Sequence, residues 1–272
     1  MECFSAFFCA SEHQCLKKTA VSARPLGHRP IALLNSDYKL LTIILSFRVR
    51  PLLSRAVLPA QVGFVPYRTI HTALDVFAAV KKAASSDEEI HGSVVLLLDF
   101  AKAYDTLQRP LLLSVLAWMG FSQRFVSVVA ALHHNKTCSL IVNGFHSRQQ
   151  VVSCGIRQGC PLAPLLLILA LDNVYRVLQE STDIRGVMIK SGDKSTEIKV
   201  SGYADDTAFY LRAHSLIKYV LSILDELAGV SGLTTNMSKS MVLRLHSRDY
   251  IYRWTHEVLR CLPPRHLVGI SV

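Results

Sequence analysis

The chain has 272 residues, half of them apolar, so it is long enough to bury a large core in one or two subdomains. Its 30 Lys and Arg residues outnumber its 20 Asp and Glu residues, and the net charge of +10 favours a phosphate-rich partner. Seven cysteines without a CxxC pair disfavour a disulfide framework or a zinc knuckle. No apolar run reaches the roughly 18 residues that span a membrane, and no basic segment precedes the first apolar residues, so we expect neither membrane insertion nor secretion.

The first third of the chain predicts a basic, helical region. Residues 1–24 show no clear period, and we expect them to lack regular structure. Candidate N-caps at 35–37 precede apolar residues that recur at helical spacing. A polar loop at 85–92 separates this region from a sheet-rich part that follows.

The sheet-rich part begins with a continuous apolar run, Ser93 to Phe100, that ends in an acid. Such a run is typical of a strand buried on both faces, with Asp99 at its C-terminal end. A buried carboxylate is costly unless it is paired or bound to a metal. Taken alone, Asp99 fits a helix N-cap or a turn equally well.

The middle of the chain predicts two helices and a hairpin before a glycine-rich loop. The helices are expected at 110–119 and 122–134, and the hairpin turns at Asn143-Gly144. The loop, Gly155 to Pro164, leads into an apolar helix, and a helix N-terminus accepts phosphate. We expect Arg157 to offer a cation to phosphate there, although a glycine-rich loop alone is weak evidence.

Two adjacent acids interrupt strand-forming residues between Val200 and Leu211. Ala204, Asp205 and Asp206 read as a tight turn between two apolar runs. Like charges side by side repel each other, so a cation is expected, and a divalent metal is the obvious candidate. An amphipathic helix at 215–230 and a short strand from Met241 follow.

The order of strands and helices predicts an α+β fold, an antiparallel sheet with helices on one face. The end of the first strand and the turn of the hairpin can then lie side by side, which brings Asp99 to Asp205 and Asp206. Such oxygen-only ligands suit Mg²⁺, with Mn²⁺ as an alternative. Two ions about 3.5–4 Å apart could activate a 3′-hydroxyl and stabilise a leaving pyrophosphate.

In the sequences of its motifs and in their order, the chain resembles a reverse transcriptase of the non-LTR (LINE-like) retrotransposon type. The ordered set is far more specific than the YADD motif alone, and it covers roughly residues 25–272. The matching segments are RPIALLNSDYKL at 29–40, QVGFVPYRTIHTAL at 61–74, LLLDFAKAYD at 96–105, GIRQGCPLAPLL at 155–166, YADD at 203–206, GLTTNMSKS at 232–240 and LVGI at 267–270.

The resemblance implies an RNA-directed DNA polymerase, a magnesium-dependent nucleotidyltransferase. Asp99 and Asp205 would be the main metal ligands, the Phe100 carbonyl would help, and Asp206 would support the catalytic site. The implied partners are an RNA template, a DNA primer and deoxynucleoside triphosphates, with no membrane. The implied location is intracellular, in the nucleus or the cytoplasm, and the oligomeric state is left open.

The resemblance also implies contacts with the incoming nucleotide. Tyr104 would be the steric gate under the nucleotide sugar, Gln158 and Gly159 would contact the nucleotide, and Arg68 would contact its phosphates. Lys239 would donate a proton to pyrophosphate or contact a phosphate, and a plain surface charge explains it equally well.

The implied organisation is the right hand of a polymerase. Fingers are expected at 25–92 and a palm at 93–272, with part of the fingers at about 106–153. The chain would end within the primer grip, so that the thumb is missing after Val272 and an endonuclease before residue 1. We therefore expect a partial, weakly active copy.

Two alternatives remain open. A group II intron maturase-like protein also carries RQG and YADD. A catalytically silent RNA-binding remnant, kept for its basic fingers, would retain salt-sensitive RNA binding without nucleotide incorporation.

Overall fold

The computed structural model describes residues 4–5, 8–17, 28–246 and 251–253. The chain forms two compact units, which we describe separately. The first unit takes its residues from 1–56 and 102–170, and the second from 57–101 and 171–272. Residues 57–92 thus belong with the second unit, away from the expected boundary at residue 92. The assignment of fingers and palm stays a prediction.

Helices and strands alternate along the described residues, as expected of an α+β fold. The strands are β1 (Ala10–Lys17), β2 (His28–Leu34), β3 (Val94–Leu98), β4 (Thr137–Val142), β5 (Phe145–His146), β6 (Gln150–Val151), β7 (Val187–Ser191), β8 (Lys194–Ile198), β9 (Val200–Tyr203), β10 (Asp206–Leu211), β11 (Met241–Arg244) and β12 (Ile251–Arg253). The helices are α1 (Ser36–Val49), α2 (Leu53–Ala56), α3 (Ile70–Ser86), α4 (Ala103–Thr106), α5 (Arg109–Trp118), α6 (Gln123–His133), α7 (Ala163–Glu180) and α8 (Ile217–Ser231).

The sheet of the first unit has the order β2-β1-β4-β5, with β6 also paired to β4. The expectation that residues 1–24 lack regular structure is wrong for β1. This strand pairs antiparallel with β2 on one side and parallel with β4 on the other. Its sequence shows no period, and the strand is instead ordered by pairing with the nearby β2 and with β4, which lies far along the chain.

Two helices of the first unit begin at polar residues whose side chains cap the helix. The side chain of Asn35 accepts a hydrogen bond from the N–H of Asp37 at 3.3 Å and caps α1. Ser122 caps α6 through the N–H of Phe125. The turn between β4 and β5 has φ of 52° at Asn143 and 81° at Gly144, as a tight hairpin requires.

The sheet of the second unit is antiparallel throughout and has the order β12-β11-β3-β10-β9. The β3 strand, buried along most of its length, lies at its centre, as the apolar run predicted. Residues of α3, including Val80 and Ala84, pack with Val95 and Tyr210 in one apolar core. This packing sets β3 and β10 side by side and so fixes the sheet end that carries Asp99.

A separate hairpin precedes the strand that leads to the paired acids. The β8 strand pairs with β7 in a two-stranded sheet, whereas β9 pairs with β10. Lys199 lies between β8 and β9, and its ammonium group donates to the carbonyls of Gln179 and Ser181 at 2.9 Å. A cation is favourable at the C-terminal end of a helix, and this contact separates the strands.

The predicted primer-grip segment at 267–270 lies outside the described residues. Among the helices of the described ranges, none combines the length and hydropathy needed to cross a membrane.

Candidate active site

The paired acids lie at the turn between β9 and β10, as predicted. Tyr203 pairs with Asp206, so Ala204 and Asp205 form the two-residue turn. Ala204 has φ of 58°, a left-handed conformation that is uncommon for a residue with a Cβ. The turn therefore has to be held by its surroundings.

The register of the sheet brings Asp99 to the same end. Leu98 on β3 pairs with Thr207 on the antiparallel β10. The residue after Leu98 therefore lies beside the residue before Thr207, which places Asp99 next to Asp206. We call Asp99, Asp205 and Asp206 the acidic sheet end.

Asp99 is held by the segment that follows α8. The N–H of Asn236 donates to the backbone carbonyl of Asp99 at 2.7 Å, and its side-chain amide donates to the Asp99 carboxylate at 2.8 Å. Ser240 contacts the N–H of Asp99 at 3.2 Å. Phe100 is buried and forms a bridge with Thr235. The sequence analysis assigned no role to Asn236, since only pairing across the fold shows which carboxylate it contacts.

Lys239 lies beside the acidic sheet end, because its ammonium nitrogen is 3.6 Å from the Asp99 carboxylate. The Lys239 side chain is largely exposed, whereas that of Asp99 is only partly exposed. An exposed ion pair of this kind contributes little to stability. Its part in proton donation or phosphate contact stays a prediction.

The acids act on one another electrostatically. Burial, then the charge of Asp205 and then that of Asp99, raise the pKa of Asp206, while Lys239 opposes this rise. In the described residues, no three His, Cys, Asp or Glu side chains are close enough to form a ready metal cage. Mg²⁺ commonly takes only one or two carboxylates and completes its shell with water and substrate phosphate, so an open carboxylate set fits this ion.

A buried tyrosine supports the base of the hairpin. The hydroxyl of Tyr175 on α7 is 2.7 Å from the hydroxyl of Thr207, and burial raises the pKa of Tyr175. The role of Tyr175 was not predicted, and its signal in the sequence is a single aromatic hydroxyl among the aliphatic residues of this helix.

Arg68, the predicted phosphate contact, lies in the second unit. Its guanidinium donates to the carbonyls of Leu58 and Gln61 at 2.7 Å. A weaker bond reaches the carbonyl of Val57 at 3.5 Å. These bonds order the loop before α3, and contact with a nucleotide phosphate stays a prediction.

The predicted nucleotide-binding residues of the first unit lie around one loop. The carbonyl of Gln158 accepts from the N–H of Ala32 at 3.1 Å, and its side-chain amide donates to Asp105 at 3.4 Å. Gly159 has φ of 101°, and a Cβ there would lie 2.9 Å from the Ala32 carbonyl oxygen, so glycine is required. The Tyr104 carbonyl accepts from the N–H of Ile156 at 2.7 Å. Nucleotide contact by Tyr104, Gln158 and Gly159 stays a prediction.

Arg157 is not the accessible cation that the sequence suggested. Its side chain is buried, donates to the carbonyl of Cys9 and lies over the ring of Tyr38, with 5.0 Å to the centroid. Together with Arg109 and Lys136, it forms what we call the cationic cluster. Burial and, among other charges, that of Arg157 lower the pKa of both Arg109 and Lys136. The expectation that Arg157 offers its charge to phosphate is therefore wrong.

The sequence of the chain matches a known protein family and is similar to several known proteins. The family described as reverse transcriptase (RNA-dependent DNA polymerase) matches residues 16–258. The chain is 27% identical over 212 residues to the transposon TX1 149 kDa protein of Xenopus laevis. It is 25% identical over 224 residues to the Pol polyprotein of the type-2 retrotransposable element R2DM of Drosophila melanogaster. These matches cover 78% and 82% of this chain but only 16% and 20% of those relatives.

Solved structures share the fold. The apo telomerase of Candida tropicalis superposes with a TM-score of 0.59 at 12% identity, over 87% of this chain and 45% of that one. The telomerase of Candida albicans, in complex with a fragment of telomeric RNA, gives 0.58 at 11% identity, over 92% and 44%. At these identities the likeness shows the fold alone.

Proposed function

Since the chain belongs to the reverse transcriptase (RNA-dependent DNA polymerase) family, as its motifs predicted, we propose that it extends a DNA 3′-end on an RNA template. The substrates would be deoxynucleoside triphosphates. The observation that carries the proposal is the acidic sheet end, where the register of β3 and β10 sets Asp99 beside Asp206 at the hairpin turn.

Reverse transcriptases generally use divalent metal ions. We propose that Asp99 and Asp205, with the Phe100 carbonyl, hold two Mg²⁺ or Mn²⁺ ions and that Asp206 supports them. Such ions supply the positive charge that activates a 3′-hydroxyl and neutralises a leaving pyrophosphate. Burial, and then the charges of Asp205 and Asp99, raise the pKa of Asp206, and the repulsion among these carboxylates supports the proposal because it favours the binding of a cation.

Other residues of the protein would orient the acids and support the hairpin. Asn236 and Lys239 orient the Asp99 carboxylate, and Tyr175 holds the base of the hairpin through Thr207. If a divalent ion bound the Asp99 carboxylate, the ammonium group of Lys239 would be able to donate a hydrogen bond to a phosphate oxygen. The new bond would join the primer oxygen to the α-phosphorus as the bond to pyrophosphate breaks.

The relatives reported above are retrotransposon proteins, which favours this origin over a group II intron maturase. We propose an intracellular site of action, in the nucleus or the cytoplasm, where an RNA template is available. The fingers and palm assignment belongs to the same proposal.

Primer extension tests the function. We expect the chain to add deoxynucleotides to a primer on an RNA template with Mg²⁺. In Asp205→Ala, incorporation should fall on the order of 10³-fold, because a charge-stabilising group at the reacting atoms is lost. The matched control is Asp193→Ala, which removes an exposed aspartate from the turn between β7 and β8.

Equal incorporation by wild type and Asp205→Ala would refute the enzyme proposal. Salt-sensitive binding of RNA on a filter, without any incorporation by wild type, would instead support the silent RNA-binding remnant.

A further inference from the structure

A buried glutamine lies against the turn that carries the paired acids. Gln61 is fully buried, and its side chain reaches Ala204, the residue directly before Asp205. Its amide nitrogen donates to the Ala204 carbonyl at 3.0 Å, and its amide oxygen accepts from the Ala204 N–H at 3.0 Å. One side chain thus pairs both backbone groups of one residue.

The orientation of this amide is determined by its partners. The oxygen of Gln61 also accepts from the N–H of Gly63 at 2.9 Å. Two N–H donors face one end of the amide and a carbonyl faces the other. If the amide were turned over, all three bonds would be lost.

Neighbouring backbone bonds hold the same contact. The N–H of Val62 donates to the Gly202 carbonyl, and the N–H of Gly202 donates to the Ala60 carbonyl, both at 2.8 Å. A Cβ at Gly63 would collide with the backbone nitrogen of Ala204, so only glycine permits this approach. Residues 60–63 therefore bracket the hairpin on both sides of Tyr203.

Ala204 needs such support because of its conformation. Its φ of 58° is unfavourable for a residue with a Cβ, and its backbone is buried. A buried N–H without a partner is costly, so the turn depends on the pairing from Gln61. The direction of the chain at Ala204 in turn sets where the next two carboxylates point.

Gln61 is itself anchored. Its N–H donates to the Leu58 carbonyl at 3.1 Å, and its carbonyl accepts from Arg68 at 2.7 Å. The guanidinium of Arg68 also bonds to the Leu58 carbonyl, so the loop before α3 is closed around Gln61. This arrangement leaves the glutamine side chain little freedom.

We infer that Gln61 is a positioning residue that holds Ala204 in its left-handed conformation and thereby sets the metal-binding geometry of Asp205 and Asp206. The inference rests on the proposed function, because it gives the acids the task of binding divalent ions. Gln61 acts only through the hairpin and touches no reacting atom.

The test compares three full-length variants with wild type. Gln61→Met keeps the length of the side chain and removes its hydrogen bonds. Gln61→Glu keeps the acceptor and can donate only when protonated. Leu116→Ala, at a fully buried position of α5 in the first unit, is the control that loses stability without changing the hairpin or the sheet that carries it. Urea denaturation selects conditions in which every variant is folded.

Two properties are measured. Mn²⁺ alone is titrated and followed by electron paramagnetic resonance, which needs no activity, and primer extension gives kcat and the KM for nucleotide. We expect Gln61→Met to weaken Mn²⁺ binding and to lower kcat on the order of tenfold each, as for residues that orient metal ligands. The KM should change little, and Leu116→Ala should match wild type in both properties.

Gln61→Glu provides the rescue. Burial favours its protonated form, so at low pH it should bind Mn²⁺ nearly as wild type does and lose this affinity as the pH rises. A merely structural role does not predict this pH profile in folded protein. Mn²⁺ binding by Gln61→Met equal to that by Leu116→Ala would overturn the inference while leaving the proposed function intact. Wild type that neither binds Mn²⁺ nor incorporates nucleotide would overturn both.

Discussion

The acidic sheet end of the second unit and the cationic cluster of the first unit differ in the sign of their charge, in burial and in their hydrogen-bond partners. Each gathers three ionisable side chains of one kind, acids or bases, but Lys136 and Arg157 of the cluster are buried and Arg109 is partly buried, whereas Asp206 at the sheet end is exposed. In the cluster, backbone carbonyls take the place of anions. Arg109 donates to the carbonyls of Val152 and Cys154 at 2.7 and 2.8 Å and reaches two more, and Lys136 donates to Gly155.

The two regions differ in how their ionisable groups are accommodated. Arg109 and Lys136 order a loop, because carbonyl oxygens supply their hydrogen bonds without a net negative charge, whereas one terminal nitrogen of the buried Arg157 has no hydrogen-bond partner in the described residues. The carboxylates have Asn236 and Lys239 near Asp99, but burial and then repulsion among the acids still raise the pKa of Asp206. A divalent ion would relieve this repulsion, whereas the side chain of Arg157 is buried.

Removal of Arg109 should give the largest effect on stability. Arg109→Met leaves buried carbonyls without their donor, at a cost of about 1–3 kcal/mol for each group, so we expect a total loss of roughly 3 kcal/mol or more. Urea denaturation of the full chain measures this loss. Arg124→Met, at an exposed position of α6, is the matched control and should change the free energy of unfolding little. Equal stability of the two variants would contradict a structural role for the cluster.

Lys136 of the cationic cluster should make the free energy of unfolding depend on pH. Burial and the charges of Arg109 and Arg157 lower the pKa of Lys136 to about 6, from 10.5. Between these values the unfolded chain holds a proton that the folded chain lacks, so stability rises with pH, at most about 1.4 kcal/mol per pH unit. Below pH 6 this contribution stops changing.

In Lys136→Met this rise should disappear from urea denaturation curves recorded between pH 6 and pH 9. Lys194→Met, at an exposed position of β8, should keep it. A rise of the same slope in Lys136→Met would show that another group is responsible.

Asp206 should give the smallest effect, with the opposite sign. Its pKa is raised above 3.8, so the folded chain keeps a proton that the unfolded chain has released, and stability falls as the pH rises through this window. Asp206→Asn should therefore gain about 0.5 kcal/mol at pH 7 without divalent ions, a figure reduced for solvent screening. Thermal unfolding with and without Mg²⁺ measures this, and Mg²⁺ should stabilise wild type more than the variant.

Asp193→Asn is the control for charge alone. If it gains as much stability as Asp206→Asn, net charge explains the effect and repulsion within the acidic sheet end does not.

Much of the local structure could be predicted from the sequence. The apolar run that ends in Asp99, the cap at Asn35 and the turns at Asn143-Gly144 and Ala204-Asp205 are all confirmed. The reverse transcriptase family is confirmed too, because motifs in a fixed order are specific even where each one is weak. The strand β1, the interruption at Lys199 and the burial of Arg157 could not be predicted, because each depends on a partner far along the chain.

Most strands, helices and turns follow from the local sequence, since periodicity and turn chemistry act over a few residues. The two adjacent acids at the hairpin are likewise visible in the sequence. The position of Asp99 beside that hairpin, the hydrogen bond from Asn236 to its carboxylate and the pairing of Gln61 with Ala204 depend on the tertiary structure. These contacts join residues separated by more than a hundred positions, and they depend on sheet register and close packing, which no local pattern records.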